Sequence, residues 1–393
     1  MQSFSAAGKS QKDKSASSSS KFSHSEGTSS SQPQNSDDSF SPQNKSSSSN
    51  SHLSDMDCLD LTTVNRRDSV ISISSRMSDY DLGDELLIPY GDFKNLNKNT
   101  LLGKGSVGVV YRAKWNNRSV AVKVLRQIDP ENINQVDAFL REAQQTVQLK
   151  LFSPHVIKLV GICATPPEPC CLVLELMPGG SLYDFLRENS IISWPQRLGI
   201  ALDIINGLID LFRQNVILPD LKSSNILLTV TGLDGLRRAK LADFDSVIVK
   251  SANSHCAKTQ FLSGTIPWMP PELLELEFSP KKKNVPAHGA DDAEDEVEYV
   301  YNAKTIIYTF GWLLWTLLSH KTPFEFQELH SRNLGMLNQI IKDVIEGTRA
   351  EIPIFDNSPN SLEYNPLILY CWDAEPGLRP TLKDARQVLN RLK

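Results

Sequence analysis

Two short stretches gather polar side chains suited to catalysis. The first is Leu218-Pro219-Asp220-Leu221-Lys222-Ser223-Ser224-Asn225. The second is Lys240-Leu241-Ala242-Asp243-Phe244-Asp245. Together they offer three carboxylates, an amide and two lysines, residue types from which a catalytic cluster can be built. A third stretch, Gly103-Lys104-Gly105-Ser106-Val107-Gly108, spaces its glycines as G-x-G-x-x-G. Without a Cβ, such a loop brings backbone N–H groups close to phosphates. A fourth candidate, Lys123, is the one lysine in the apolar run Ser119–Leu125.

The flanking pattern says which elements must position these groups. A dinucleotide-binding loop needs a helix straight after its last glycine. Here Val109-Val110-Tyr111-Arg112-Ala113-Lys114-Trp115 follows instead. Its β-branched and aromatic residues predict a strand. Asn116-Asn117-Arg118 predicts a turn, and Ser119–Leu125 a further strand. The glycines therefore sit in a hairpin lid. Val136, Phe139, Leu140, Ala143 and Val147 recur at spacings of three and four. That builds one apolar helix face with Glu142 beside it, within reach of an ion pair to Lys123. Cys171–Leu176 predicts a strand, Ser181 caps a short helix, and Pro195–Phe212 is a longer one. A hairpin turning at Leu233-Asp234-Gly235 separates the two acidic stretches.

Taken in order, these segments resemble a eukaryotic-type protein kinase domain, most similar to the tyrosine-kinase-like group of Ser/Thr kinases. Further motifs extend the resemblance: Ser263-Gly264-Thr265-Ile266-Pro267-Trp268-Met269-Pro270-Pro271-Glu272, Tyr308-Thr309-Phe310-Gly311 and Leu378-Arg379-Pro380. The resemblance covers about residues 91–393. It implies an α+β bilobal fold, with a small β-rich N-lobe over about 91–174 and a mostly helical C-lobe over about 175–393. It implies ATP and Mg²⁺ or Mn²⁺ as cofactors, and Ser/Thr hydroxyls of proteins as substrates. Gly103, Lys104, Gly105, Ser106, Val107 and Gly108 would then cover the phosphates. Val110 and Ala121 would pack above adenine and Leu227 below it. The hinge would run Glu175–Met177, with Leu174 as gatekeeper. Lys123, held by Glu142, would meet the α- and β-phosphates. Asp220 would orient the substrate hydroxyl and Lys222 the γ-phosphate. Asn225 and Asp243 would hold the metal. Thr265 would bridge Asp220 and Lys222, and Glu272 with Arg379 would be a structural ion pair.

The departures from that pattern carry information of their own. The family's His-Arg-Asp reads Leu218-Pro219-Asp220. Proline has neither the charge nor the donor of the arginine that receives an activation-segment phosphate. An anchoring aspartate of the family aligns with Ile306. Losing both polar partners, at Leu218 and Ile306, is close to neutral, whereas keeping one would leave it unpaired. We therefore expect a repacked, apolar floor under the catalytic loop. Asp245 stands where glycine is usual; its carboxylate could bind metal or repel phosphates. Thr146 is more polar than the apolar residue usual there. These departures leave a second reading open, a nucleotide-binding pseudokinase or scaffold.

The 393 residues are 40% apolar and carry a net charge of −5. No basic excess points to nucleic acid. The first 80 residues hold 27 serines, so a disordered tail is expected over 1–83. Within it, Asp55–Leu61 resembles a docking peptide, and Arg66-Arg67-Asp68-Ser69 resembles a phosphorylation site. An acidic insertion over about 279–300, with Asp291, Asp292, Glu294, Asp295, Glu296 and Glu298, reads as a solvated loop. The longest apolar run, Ile306–Leu318, is too short to span a membrane and reads as a buried core helix. The N-terminus has no apolar leader or myristoylation glycine, and the last four residues form no prenylation box. Six scattered cysteines without a C-x-x-C pair argue for a reducing, cytoplasmic setting.

Overall fold

A computed structural model of the chain describes residues 77–80, 82–105, 108–125, 132–150, 153–164, 168–189, 191–278, 297–325, 334–353 and 359–393. The chain divides into two units, Met1–Asn65 and Arg66–Lys393. The tail expected before residue 77, and the bulk of the acidic insertion, lie outside the described residues, as do the side chains of Glu142 and Thr146.

The N-lobe is a five-stranded antiparallel sheet in the order β1-β2-β3-β5-β4. Its strands are β1 Leu101–Lys104, β2 Gly108–Trp115, β3 Arg118–Leu125, β4 Leu159–Cys163 and β5 Cys171–Glu175. The β2–β3 turn uses Asn116 and Asn117 at φ of 48° and 60°. Paired left-handed residues match the twist of a tight hairpin, and asparagine tolerates them better than most. Helix α1, Ile133–Lys150, buries Val136, Phe139, Leu140 and Ala143 against Leu159, Ile162 and Leu172.

Packed structure begins upstream of the expected boundary at 91, and inside the segment 1–83 assigned to the tail. Met77 and Leu82 are buried in the same cluster as α1, and Ile88 is buried beneath the sheet. Met77 and Leu82 stand singly among polar residues and Ile88 ends the short run Leu86-Leu87-Ile88, so only the packed lobe shows that they are core.

The C-lobe opens with α2 Leu182–Glu188 and α3 Trp194–Arg213. Ser181 and Ser193 cap them, each hydroxyl accepting a backbone N–H in the first turn. The short pairs β6 Val216–Ile217 with β9 Ile248–Val249, and β7 Ile226–Leu228 with β8 Ala239–Leu241, frame the two acidic stretches. Then follow β10 Cys256–Thr259, α4 Pro271–Phe278, β11 Tyr299–Asn302 and α5 Ala303–Ser319. Helices α6 Leu334–Ile345, α7 Pro359–Cys371 and α8 Leu382–Arg391 complete the lobe.

Helix α5 is buried on every side from Thr305 to Leu318, as the apolar run required. Among the described residues no helix is long and apolar enough to cross a membrane. The insertion departs from its solvated-loop reading at its exit. Val297 packs against the core, and Tyr299 and Tyr301 are buried on β11, which pairs antiparallel with β10. Alternation of aromatic and β-branched residues makes this a strand despite the acidic run before it.

Candidate active site

The catalytic loop between β6 and β7 places Asp220, Lys222 and Asn225 together. Lys222 Nζ donates to Asp220 Oδ2 at 2.7 Å and to Thr265 Oγ1 at 2.9 Å. Thr265 Oγ1 in turn donates to Asp220 Oδ1 at 2.5 Å. The three side chains close a ring in which one carboxylate faces one ammonium and one hydroxyl. Asn225 Nδ2 donates to the Asp220 carbonyl at 2.8 Å and reaches Asp220 Oδ2 at 3.3 Å. Its amide hydrogens face Asp220, so its oxygen is the atom left to offer a cation. The Asn225 carbonyl accepts the N–H of Ala242, which sets Asp243 beside it.

The floor of this loop is apolar. Leu218, Pro219 and Ile306 line one small cavity with Met269 and Leu273. Leu218 and Ile306 are both buried. Neither side chain carries a polar atom that would need a partner in this setting.

The second centre lies across the cleft. Lys123 on β3 donates from Nζ to Asp243 Oδ1 at 3.1 Å and to Asp245 Oδ1. Asp243 sits at φ 66°, a left-handed conformation that aspartate tolerates better than most residues. Burial pushes its carboxyl above the usual carboxylate range; Lys123 opposes this and Asp245 adds to it. Asp245, left open between metal binding and repulsion, is thus a partner of Lys123. Glu142 lies on α1, the helix expected to carry it.

The remaining candidates fall around the cleft. Gly103 and Lys104 lie on β1, and the Gly105 N–H closes the hairpin onto the Gly108 carbonyl at 2.9 Å. A Cβ on Gly108 would stand 2.4 Å from the Val124 carbonyl oxygen, so no side chain fits there. Ser106 and Val107 lie outside the described residues. Val110 is opposite Lys123 in the β2–β3 register, and Ala121 is opposite Leu174 between β3 and β5. Leu227 on β7 and Met177 after β5 both pack into the C-lobe core.

Sequence reasoning missed the side-chain role of Glu175. Its carboxylate accepts the Lys158 N–H at 2.8 Å and pairs with Lys240 at 2.5 Å, tying the hinge to β8. Nothing in the spacing of these three residues announces that contact. The Glu272–Arg379 pair is bidentate, both bonds at 2.7 Å, with the Arg379 side chain fully buried.

Comparison with known proteins agrees with this geometry. Residues 96–391 match the family model described as a protein kinase domain. The chain is 30% identical over 313 residues to the probable serine/threonine-protein kinase pats1 of Dictyostelium discoideum, covering 76% of this chain and 8% of that protein. It is 30% identical over 318 residues to the serine/threonine-protein kinase CTR1 of Arabidopsis thaliana, covering 79% and 33%. Over 304 residues it is 28% identical to the Arabidopsis serine/threonine-protein kinase STY17, covering 77% and 45%. The chain therefore spans less than half the length of each of these relatives.

Proposed function

The chain belongs to the protein kinase family, and we propose that it is an active Ser/Thr kinase that transfers the γ-phosphate of ATP to protein hydroxyls. The observation that supports this reading best is the closed ring of Asp220, Lys222 and Thr265 beside Asn225 and Asp243. The donor set suits the nucleotide and its metal. Asn225 and Asp243 offer oxygens, Lys123 an ammonium, and the glycine hairpin backbone N–H groups. Bound Mg-ATP supplies the phosphoryl group and the cation that offsets its charge.

In this reading the chain's own residues position and neutralise. Asp220 orients the substrate hydroxyl and takes its proton at a carboxylate oxygen. Lys222 faces the transferring group, and Thr265 holds Asp220 and Lys222 in register. Lys123 exchanges its carboxylate partners for the α- and β-phosphates. Asn225 and Asp243 would hold Mg²⁺ or Mn²⁺ through their side-chain oxygens. Val110, Ala121 and Leu227 enclose adenine. The packed segment from Met77 is read as an extension of the N-lobe, and the cysteine usage supports a cytoplasmic setting. The serine-rich tail, with Ser69 behind Arg66-Arg67, is the candidate phosphorylated and docking segment. A phosphopeptide map free of tail phosphate removes that role.

One observation favours the alternative, a pseudokinase that binds nucleotide without turnover. Lys123 is held by both Asp243 and Asp245. The deciding experiment is radiolabel transfer from Mg-ATP to dephosphorylated casein by the full chain, with Asp220→Asn beside it. Transfer lost in Asp220→Asn supports the kinase. A wild type no faster than that variant establishes the pseudokinase.

A further inference from the structure

The activation segment, from Asp243 to Glu272, contains a contact that none of the motifs describes. The Ser263 N–H donates to Tyr301 Oη at 2.7 Å, and the same hydroxyl donates to the Ser263 carbonyl at 2.8 Å. One phenol thus satisfies both backbone groups of one residue. Tyr301 is 2% exposed, and burial raises its pKa, so the hydroxyl keeps its proton and can donate. It stands on β11, opposite Ala257 of β10. Lys258 and Glu298 add an ion pair at 2.5 Å along the exposed edge of the same strand pair.

The position of Ser263 gives this contact its meaning. Two residues on, Thr265 holds Asp220 and Lys222. Between them Gly264 adopts φ 123°, and a Cβ there would lie 2.8 Å from the Pro219 carbonyl oxygen. Ser263-Gly264-Thr265 is threaded between the catalytic loop on one side and Tyr301 on the other. Shifting Ser263 moves Thr265, because only Gly264 separates them along the chain. At Pro219 the chain also lacks the cation that a phosphorylated segment would grip.

We infer that Tyr301 is a positioning residue of the transfer centre, holding Ser263 so that Thr265 stays on Asp220 and Lys222 without any activation-segment phosphate. The inference rests on the kinase reading for its effect on rate, but not for its effect on order. Strand pairing with the exit of the insertion takes the place of a phosphate–arginine contact.

The test uses the phosphatase-treated full chain, with casein and Mg-ATP as probes. Tyr301→Phe keeps the buried ring and removes both hydrogen bonds. We expect kcat to fall roughly 10–100-fold, the scale of a small misplacement at a reacting centre, with KM for ATP unchanged. In a Thr265→Val background the same substitution lowers kcat no further, because both act through one contact. An unchanged kcat in Tyr301→Phe, or losses that multiply in the double variant, overturns the inference. Hydrogen exchange reads the positioning without turnover. The Ser263 amide of the wild type exchanges slowly, and Tyr301→Phe accelerates exchange over 260–268 while 303–319 stays protected. A fast Ser263 amide in the wild type overturns the inference even if the variant fails to fold. Absent transfer by the wild type sinks the kinase reading alone, and exchange then decides this one.

Discussion

Two lysine centres face each other across the cleft, and they are built differently. Lys222 meets one carboxylate and one hydroxyl in a ring whose charges cancel. Lys123 meets the carboxylates of both Asp243 and Asp245. Opposite charges at hydrogen-bond distance stabilise the first ring without asking it to rearrange. The second has to change partners, because phosphates and two carboxylates compete for one ammonium. The ring around Asp220 is therefore preorganised, whereas Lys123 is already engaged by carboxylates. The substrate side can stay ordered because Tyr301 and the apolar floor hold it from outside the cleft.

The sharpest way to break the comparison is at the preorganised ring. Asp220→Asn keeps the shape and removes the proton acceptor. We expect kcat to fall about 10³-fold, within the range for loss of a general base, read by radiolabel transfer. A residual rate near wild type would mean that the ring is only structural. Next in size is the floor. Ile306→Asp buries a carboxylate against Leu218, beside hydroxyls of Thr305 and Thr309 that already donate to backbone carbonyls. It should cost about 1–3 kcal/mol in denaturant unfolding, and Leu218→His in the same chain should recover part of that. A single variant as stable as the wild type would show that water reaches this floor.

The nucleotide side should respond less and in the opposite direction. Asp245→Gly removes one of the two competitors for Lys123. Exposed ion pairs are worth about 1 kcal/mol or less, so nucleotide affinity should rise by up to about fivefold. Isothermal titration with Mg-ATP checks this, and weaker binding would assign Asp245 to the metal instead. The smallest expected effect is none. Phosphatase treatment of the full chain should leave kcat within about twofold, since Pro219 offers no cation to a phosphate. A large loss would place a phosphate receptor elsewhere in the activation segment.

Much of this site was legible before folding. Lys123, Asp220, Lys222, Asn225 and Asp243 each fall in a motif whose spacing is local, so neighbouring residues announce them. The helices were equally plain: Pro195–Phe212 and the apolar run Ile306–Leu318 are local patterns that match Trp194–Arg213 and Ala303–Ser319. The partner of Asp245 was not legible, because it depends on how two lobes approach across 122 residues of sequence. Met77 and Leu82 were hidden for a related reason: a lone apolar residue in a polar stretch has no pattern to reveal its burial. The exit of the insertion misled because its acidic run outweighed the short Tyr-Val-Tyr alternation behind it.

By itself, then, the sequence determined the chemical inventory and the order of elements. It did so because helix faces, strand alternation, caps and motif spacings are properties of neighbouring residues. Only the tertiary structure decided which carboxylates Lys123 meets, what ties Glu175 to β8, and what holds Ser263. Those contacts join segments tens to more than a hundred residues apart, and their geometry is set by packing of the whole core rather than by any local pattern.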